Sequence, residues 1–447
     1  MKACWKKVFV MVVAIALLIG LGGSALAAER VKIIYSIWGT ADENVAVQEA
    51  IDKFNASQDR ITVELMPIPW EGYVEKLNTM AMAGELPDTG IMQEAAVLQW
   101  AEQGMLADVS GMYAEGESKP LDSLAFRYQG KPVAYSVANE ILMLYYNKDM
   151  FDKAGVAYPP KTTEEAWTWD EFIEVAKQLT FDRNGNTPND ADFDPQNIVQ
   201  YGALVENLPW QLETWAISNG GGYFAENGSG VIIGQAKSIE GIQKVADLHL
   251  VHNVAPLSTG STDDSIQRSI IAGTVAMATG GQWNIGTCLS SARDEGLNYG
   301  VAVLPYMEKK VTLNTGGPNV VFNTTRHPAE AMEWLKWYAQ EENAWGLIET
   351  GIWMPTLEKW YTDETFTRQW VENPAFPPYD EYVSAVVNTA KDMNVTRSAS
   401  WYYVNNTVDF FDVLNSALGD VWTGKITAEE AINSRMIHLI AAFEGIF

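Results

Sequence analysis

Val31-Lys32-Ile33-Ile34-Tyr35-Ser36-Ile37 is a short β-branched run, and Val47, Ala50, Ile51 and Phe54 behind it repeat at helical spacing. The pair reads as a strand followed by a helix with one apolar face. The pattern then recurs. Ile61, Val63 and Leu65 alternate as a strand, Tyr73, Leu77 and Met80 mark a second helix, Thr89 to Met92 is a short strand, and Val97 to Met105 is helical. Strands alternating with helices predict an α/β fold with a parallel sheet covered on both faces. Further along, Thr168 and Glu171 form a capping box ahead of Phe172, Val175, Ala176 and Leu179. Thr274 to Ala278 and Gly300 to Leu304 read as buried strands, and the carboxy-terminal third is mostly helical.

The amino terminus reads as an export signal. Lys2, Lys6 and Lys7 precede an apolar stretch from Val8 to Leu21, and Ala25-Leu26-Ala27 supplies the small residues of a cleavage site, placed after Ala27. The apolar stretch is 14 residues long, short of the roughly 20 that a membrane-spanning helix needs. Cys4 lies ahead of that stretch, so it is not the lipid-bearing cysteine of a lipoprotein. Cleavage leaves Cys288 alone and excludes an internal disulfide, so packing must hold the fold. The balance of 57 acidic against 30 basic residues gives a formal charge of −27. Such a surface repels phosphate backbones and excludes nucleic acid as a partner. A periplasmic or extracellular monomer is expected.

In open parallel sheets, ligands bind beyond the carboxyl ends of the strands. Trp38 follows the first strand, Gln93 and Glu94 follow the third, and Trp283 follows the run ending at Ala278. Aromatic and amide or carboxylate groups therefore gather where a ligand would sit.

Leu144-Tyr145-Tyr146-Asn147-Lys148-Asp149-Met150-Phe151 resembles the extracellular solute-binding proteins of the family that includes the maltose-binding protein. Ala83 to Asp88, Ser218-Asn219-Gly220-Gly221, Ala272 to Met277 through Trp283, and Tyr299 to Pro305 match in the same order, so the resemblance covers nearly the whole mature chain. It implies a two-lobed, type II periplasmic-binding-protein-like fold, each lobe a βα sheet covered by helices, with a hinge crossed near Asn139, Pro305 and Trp345. One lobe would be residues 28–138 with 305–345, the other 139–304 with 346–447, after a signal peptide over 1–27. It also implies a carbohydrate held between the lobes and an ABC permease as partner. Carried over by position, Trp38 is the first cleft loop, Glu140 a hinge-side polar contact, Trp210 an aromatic ahead of the Asn-Gly-Gly turn, and Trp283 the main stacking residue. Many members of the family have proline where this chain has Gln282.

These residue types suit a sugar, whose C–H faces take aromatic rings and whose hydroxyls take Glu, Gln and Asn. Glu43, Trp353 and Trp401 join the candidate ligand set, with Gly317, where Gly316-Gly317 reads either as a close backbone approach or as an ordinary turn. Trp334 and Trp337, three apart on a helix with Met332 and Leu335, read as packing. No cofactor is required by any motif. A structural Ca²⁺ is the one candidate: Asp182, Asn184, Asn186 and Asp190 stand at loop positions one, three, five and nine, although position six is Thr187 instead of glycine and position twelve is Phe193 instead of glutamate. A plain polar turn explains the segment equally. There is no phosphate loop, no His-Glu-x-x-His and no Gly-x-Ser-x-Gly, and four histidines give little material for catalysis, so a binding protein is expected and not an enzyme. The rivals are a secreted glycoside hydrolase, which needs two carboxylates at a set separation, and a ligand-sensing partner of a membrane receptor.

Overall fold

The computed structural model describes residues 30–39, 41–113, 120–257, 266–340, 342–374 and 376–446. The export segment expected over residues 1–27 lies outside them.

The amino-terminal elements follow the periodicity of the sequence. Strand β1 (Val31–Ile37), helix α1 (Ala41–Ser57), strand β2 (Ile61–Pro67), helix α2 (Tyr73–Ala83), strand β3 (Thr89–Ile91) and helix α3 (Glu94–Glu102) succeed one another. β1 pairs in parallel with β2, Val31 opposite Ile61, and with β3. The apolar stripe of α1 is what fixes it: Val47, Ile51 and Phe54 are at most 2 % exposed, and burying each contributes about 1.5–3 kcal/mol. Phe54 meets Trp334 and Trp337 edge to face on the return helix α7 (Pro328–Tyr338; the intervening helices are given below), and Trp334 stacks on Tyr338, so this tryptophan pair is packing.

Two five- and seven-stranded sheets carry the molecule. The first has the order β2-β1-β3-β11-β4, where β4 is Tyr135–Ser136 and β11 is Pro318–Val321. The second is centred on β5 (Glu140–Asn147), with β6 (Phe181–Asp182), β7 (Ile198–Leu204), β8 (Val275–Gly281), β9 (Tyr299–Ala302), β10 (Thr312–Thr315) and β12 (Thr396–Ser398). Helices α4 (Trp169–Gln178), α5 (Pro209–Ser218) and α6 (Ala236–Leu250) belong to this half, and α4 begins at the expected capping box, with Thr168 and Glu171 bonded both ways. No helix among the described residues is long and apolar enough to cross a membrane.

Three expectations are corrected. The sheets are mixed instead of parallel: β11 runs antiparallel to β3, and β5 antiparallel to β8, β9 and β10. The reversed strands β5 and β11 are those that arrive directly from the other sheet, without a helical crossover to restore direction. The crossing placed at Pro305 lies further on, because Thr312–Thr315 still pairs in the second sheet and the chain changes sheet only at Gly316-Gly317. There the backbones run so close that a Cβ on Gly316 would sit 2.4 Å from the carbonyl oxygen of Ala138. Finally, α3 starts at Glu94, three residues before the expected apolar start at Val97, so Glu94 lies in a helical first turn and not in a loop. The chain also passes from the first sheet to the second between β4 and β5, around Asn139. Near Trp345, α8 (Trp345–Glu349) lays Gly346 against Ala46 of α1, and the Gly351 carbonyl a few residues on accepts from Gln282 Nε2 at 2.9 Å.

Candidate functional site

The carboxyl edge of the first sheet gathers three loops. Trp38 leaves β1 and packs edge to face with Trp70 (centroids 5.0 Å apart, 78°) and with Tyr73 (5.3 Å, 88°). Trp70 follows β2, and its carbonyl accepts from Gln93 Nε2 at 3.0 Å, which ties it to the loop after β3. Tyr73 is held in turn, its hydroxyl donating to the Ile91 carbonyl at 2.6 Å. Glu43 stands half-buried in the first turn of α1, beside Gly39.

The second sheet carries another group. Trp283 lies two residues beyond β8, and its ring covers Gly281 so closely that a Cβ there would be 2.0 Å from Cη2 and Cζ3. The Gly281 carbonyl accepts from the Tyr145 hydroxyl and from Asn284 Nδ2, at 2.8 and 2.9 Å. Gln282 is fully buried and its N–H donates to the Ile141 carbonyl at 3.0 Å. A proline at 282 could not make that bond, which gives the departure from the common family residue a physical role. Trp210 is the second residue of α5, directly after Pro209, which favours a helix start. Its ring lies 6.2 Å from Trp283 and 5.0 Å from Trp401, in the single turn Ser400–Tyr402. Trp38 thus stands with Trp70 at the edge of the first sheet, and Trp210, Trp283 and Trp401 stand together by the second.

Buried polar groups back the second row. Gln211 donates to Glu206 Oε2 at 2.5 Å while its own Oε1 has no partner, and Trp401 Nε1 is likewise buried without one. The Glu206 N–H donates to Thr279 Oγ1 at the end of β8. Glu213, 1 % exposed, accepts from the Ser400 N–H at 3.2 Å, and burial pushes its carboxyl up to about 7 against that opposing bond. Sequence reading missed Trp70, Glu206, Gln211 and Glu213. Trp70 was within reach as an aromatic behind the second strand. Glu206 was within reach by the same rule, in the loop straight after β7, whereas Gln211 and Glu213 lie buried inside α5.

The remaining candidates collect at the hinge. Glu140 is the first residue of β5, opposite Thr315, and is half-buried. Glu94 is 8 % exposed and accepts from Thr315 Oγ1 at 2.8 Å. Burial raises its carboxyl to about 7, with Thr315 and the Gly316 backbone acting in the opposite direction. Gly317 is buried in the crossing against Ala138. Trp353 is buried next to Met354, which exchanges backbone hydrogen bonds with Asn139 at 3.1 Å each way, and it makes no ring contact among the described residues.

The loop after α4 is closed by its own donors. Asp182 Oδ1 accepts from the Asn184 and Asn186 N–H groups, and Oδ2 from Asn186 Nδ2 and the Asp194 N–H. Desolvation of Asp182 opposes ionisation, but these bonds together hold its carboxyl below the usual range. Asp190 turns back to accept from the Thr187 N–H and hydroxyl. Among the described residues no three His, Cys, Asp or Glu side chains are placed to hold a metal.

The family described as bacterial extracellular solute-binding protein matches residues 49–378. The chain belongs to this family. The maltodextrin-binding protein of Bacillus subtilis is 26 % identical over 315 residues, 66 % of this chain and 67 % of that protein. The sn-glycerol-3-phosphate-binding periplasmic protein of Rhizobium meliloti is 25 % identical over 361 residues, 75 % of this chain and 77 % of that one. A putative binding protein of Brucella abortus is 29 % identical over 136 residues, a match that spans 30 % of this chain and 31 % of the relative's length. In three dimensions, an ABC substrate-binding protein of Listeria monocytogenes in complex with cycloalternan superposes with a TM-score of 0.74 at 22 % identity, over 92 % of this chain and 98 % of that one. The likeness establishes the two-lobed α/β fold of type II binding proteins.

Proposed function

We propose that this solute-binding protein captures a neutral sugar or oligosaccharide between its lobes, outside the cytoplasm, and delivers it uncleaved to an ABC importer. The observation that carries the reading is the pair of aromatic rows, Trp38 with Trp70 at the edge of the first sheet and Trp210, Trp283 and Trp401 at the edge of the second. Flat apolar rings with polar groups beside them match a pyranose, which has apolar faces and a hydroxylated rim. The polar side chains on these edges, Glu43, Gln93, Glu206 and Gln211, are carboxylates and amides. They suit hydroxyls and disfavour a phosphate ester, which calls for arginine or lysine. The same reading divides the lobes at Asn139, Gly316-Gly317 and near Trp345, and takes the protein as a monomer exported by its first 27 residues.

A thermal-shift screen of mono- and oligosaccharides alongside sn-glycerol 3-phosphate tests it. A bound sugar raises the melting temperature by mass action, and chromatography should recover that sugar intact. A shift with glycerol phosphate alone would replace the sugar, and shortened products would make the protein a glycoside hydrolase.

A further inference from the structure

We infer that Gln282 is a positioning residue for sugar capture: its side-chain amide moors the turn that carries Trp283 to the segment leaving α8, which rests on the first lobe. The inference depends on the sugar-binding reading above. Gln282 is fully buried, an uncommon place for an amide. Its Nε2 donates to the Gly351 carbonyl at 2.9 Å, and its backbone N–H donates to the Ile141 carbonyl at 3.0 Å. One residue is therefore bound both to β5, the central strand of the second sheet, and to the segment behind α8, and the next residue is Trp283.

Both ends of the bond are anchored. Gly351 has φ 80°, the left-handed turn that closes α8. The Leu347 carbonyl accepts from the Ile352 and Trp353 N–H groups at 3.2 and 3.0 Å, and α8 rests through Gly346 on Ala46 of α1. On the other side, the Ile285 N–H donates to the Gln282 carbonyl and the Thr287 N–H to the Trp283 carbonyl, each at 3.0 Å, so the turn runs straight into the helical segment Ile285–Leu289. That segment lies hard against the one leaving α8. A Cβ on Gly286 would be 2.4 Å from Ile352 Cγ1 and 2.8 Å from the Thr350 carbonyl oxygen, and a Cβ on Gly351 would be 2.8 Å from Ile285 Cγ2. Apolar contact is non-directional, whereas a hydrogen bond out of water fixes one register. Gln282 supplies that bond one residue from the ring. A ring held in register before the sugar arrives loses little freedom on binding.

Titration calorimetry and stopped-flow tryptophan fluorescence on the wild type, Gln282→Met and Gly286→Ala, with a sugar identified by the thermal screen, test the inference. Methionine keeps the length of the side chain and removes the donor, while alanine at 286 keeps the donor and pushes the turn off its neighbour. Melting curves are taken first, and Gly286→Ala carries the test if Gln282→Met does not fold. Each variant should weaken binding about tenfold, mainly by faster dissociation, and should change the near-ultraviolet circular dichroism without ligand. Because Gln282 acts through its neighbour, Gln282→Met should add less than about twofold to the loss in Trp283→Ala. Thr396→Val is the control. It deletes another buried bond to a carbonyl, from Thr396 Oγ1 to Thr389 at 2.6 Å, and should lower the melting temperature but leave affinity unchanged. Wild-type affinity in Gln282→Met, with a loss in Trp283→Ala, would overturn the inference and leave the sugar-binding reading standing. A loss that adds in full to that of Trp283→Ala would overturn it too. If the wild type binds no sugar, both fall.

Discussion

Gly281→Ala should weaken sugar binding by moving a tryptophan it does not replace. The added Cβ would lie 2.0 Å from Cη2 and Cζ3 and 2.3 Å from Cε3 of Trp283, so the ring must retreat by roughly 1.5 Å to reach ordinary van der Waals contact. Gly281 has no positive φ, so alanine meets no backbone strain there, and the nearest atoms in its way belong to that ring. Losing a stacking face in a desolvated cleft costs about 2 kcal/mol, or about thirtyfold in Kd. Trp283→Ala should cost the same or more, and both proteins should fold, with overpacking at Gly281 costing about 1 kcal/mol of stability. Titration calorimetry with a sugar identified by the thermal screen measures the loss, and near-ultraviolet circular dichroism reports the displaced indole. The two changes act on one ring, so Gly281→Ala with Trp283→Ala should bind no worse than Trp283→Ala alone. Wild-type affinity in Gly281→Ala, with a loss in Trp283→Ala, would refute the packing of this ring over the strand end. Full additivity would refute it as well.

Further outcomes follow from the hinge and the polar loop. Glu94 and Glu213 have carboxyls raised by burial to about 7, so the folded state holds protons that the unfolded state releases. Their contribution is fully present below about pH 4.5 and is lost as pH rises through about 7, by up to about 3 kcal/mol each before relaxation. Glu94→Gln, which keeps an acceptor for Thr315, should flatten the decline in melting temperature across that window, and an unchanged pH profile would count against the burial of Glu94. Melting curves with a chelator and with added calcium should coincide if the Asp182 loop is a polar turn closed by its own donors; a rise with calcium would favour the cation reading instead. Small-angle scattering should show a smaller radius of gyration at saturating sugar, since Trp38 and Trp283 arise from different sheets and a ligand touching both favours closure. An unchanged radius would require a preclosed or one-lobed site.

What the sequence determined by itself is local. The strand-helix succession from Val31 to Glu102, the capping box at Thr168 and the packing role of Trp334 each depend on spacing within about one helical turn or one strand. The strand-end rule and the family resemblance singled out Trp38 behind the first strand, and Trp210 and Trp283, whose rings lie 6.2 Å apart. The tertiary structure alone decided the rest, because those outcomes depend on pairings that no short window contains. Thr315 faces Glu140, and this register moves the crossing from Pro305 to Gly316-Gly317. Glu94 is taken out of water by a hydroxyl 221 residues away, so a residue type that is exposed by default becomes a hinge contact. Trp70 stays exposed because Trp38 and Tyr73 fill the space behind it, and periodicity records which face of an element is apolar but not which neighbour arrives to cover it.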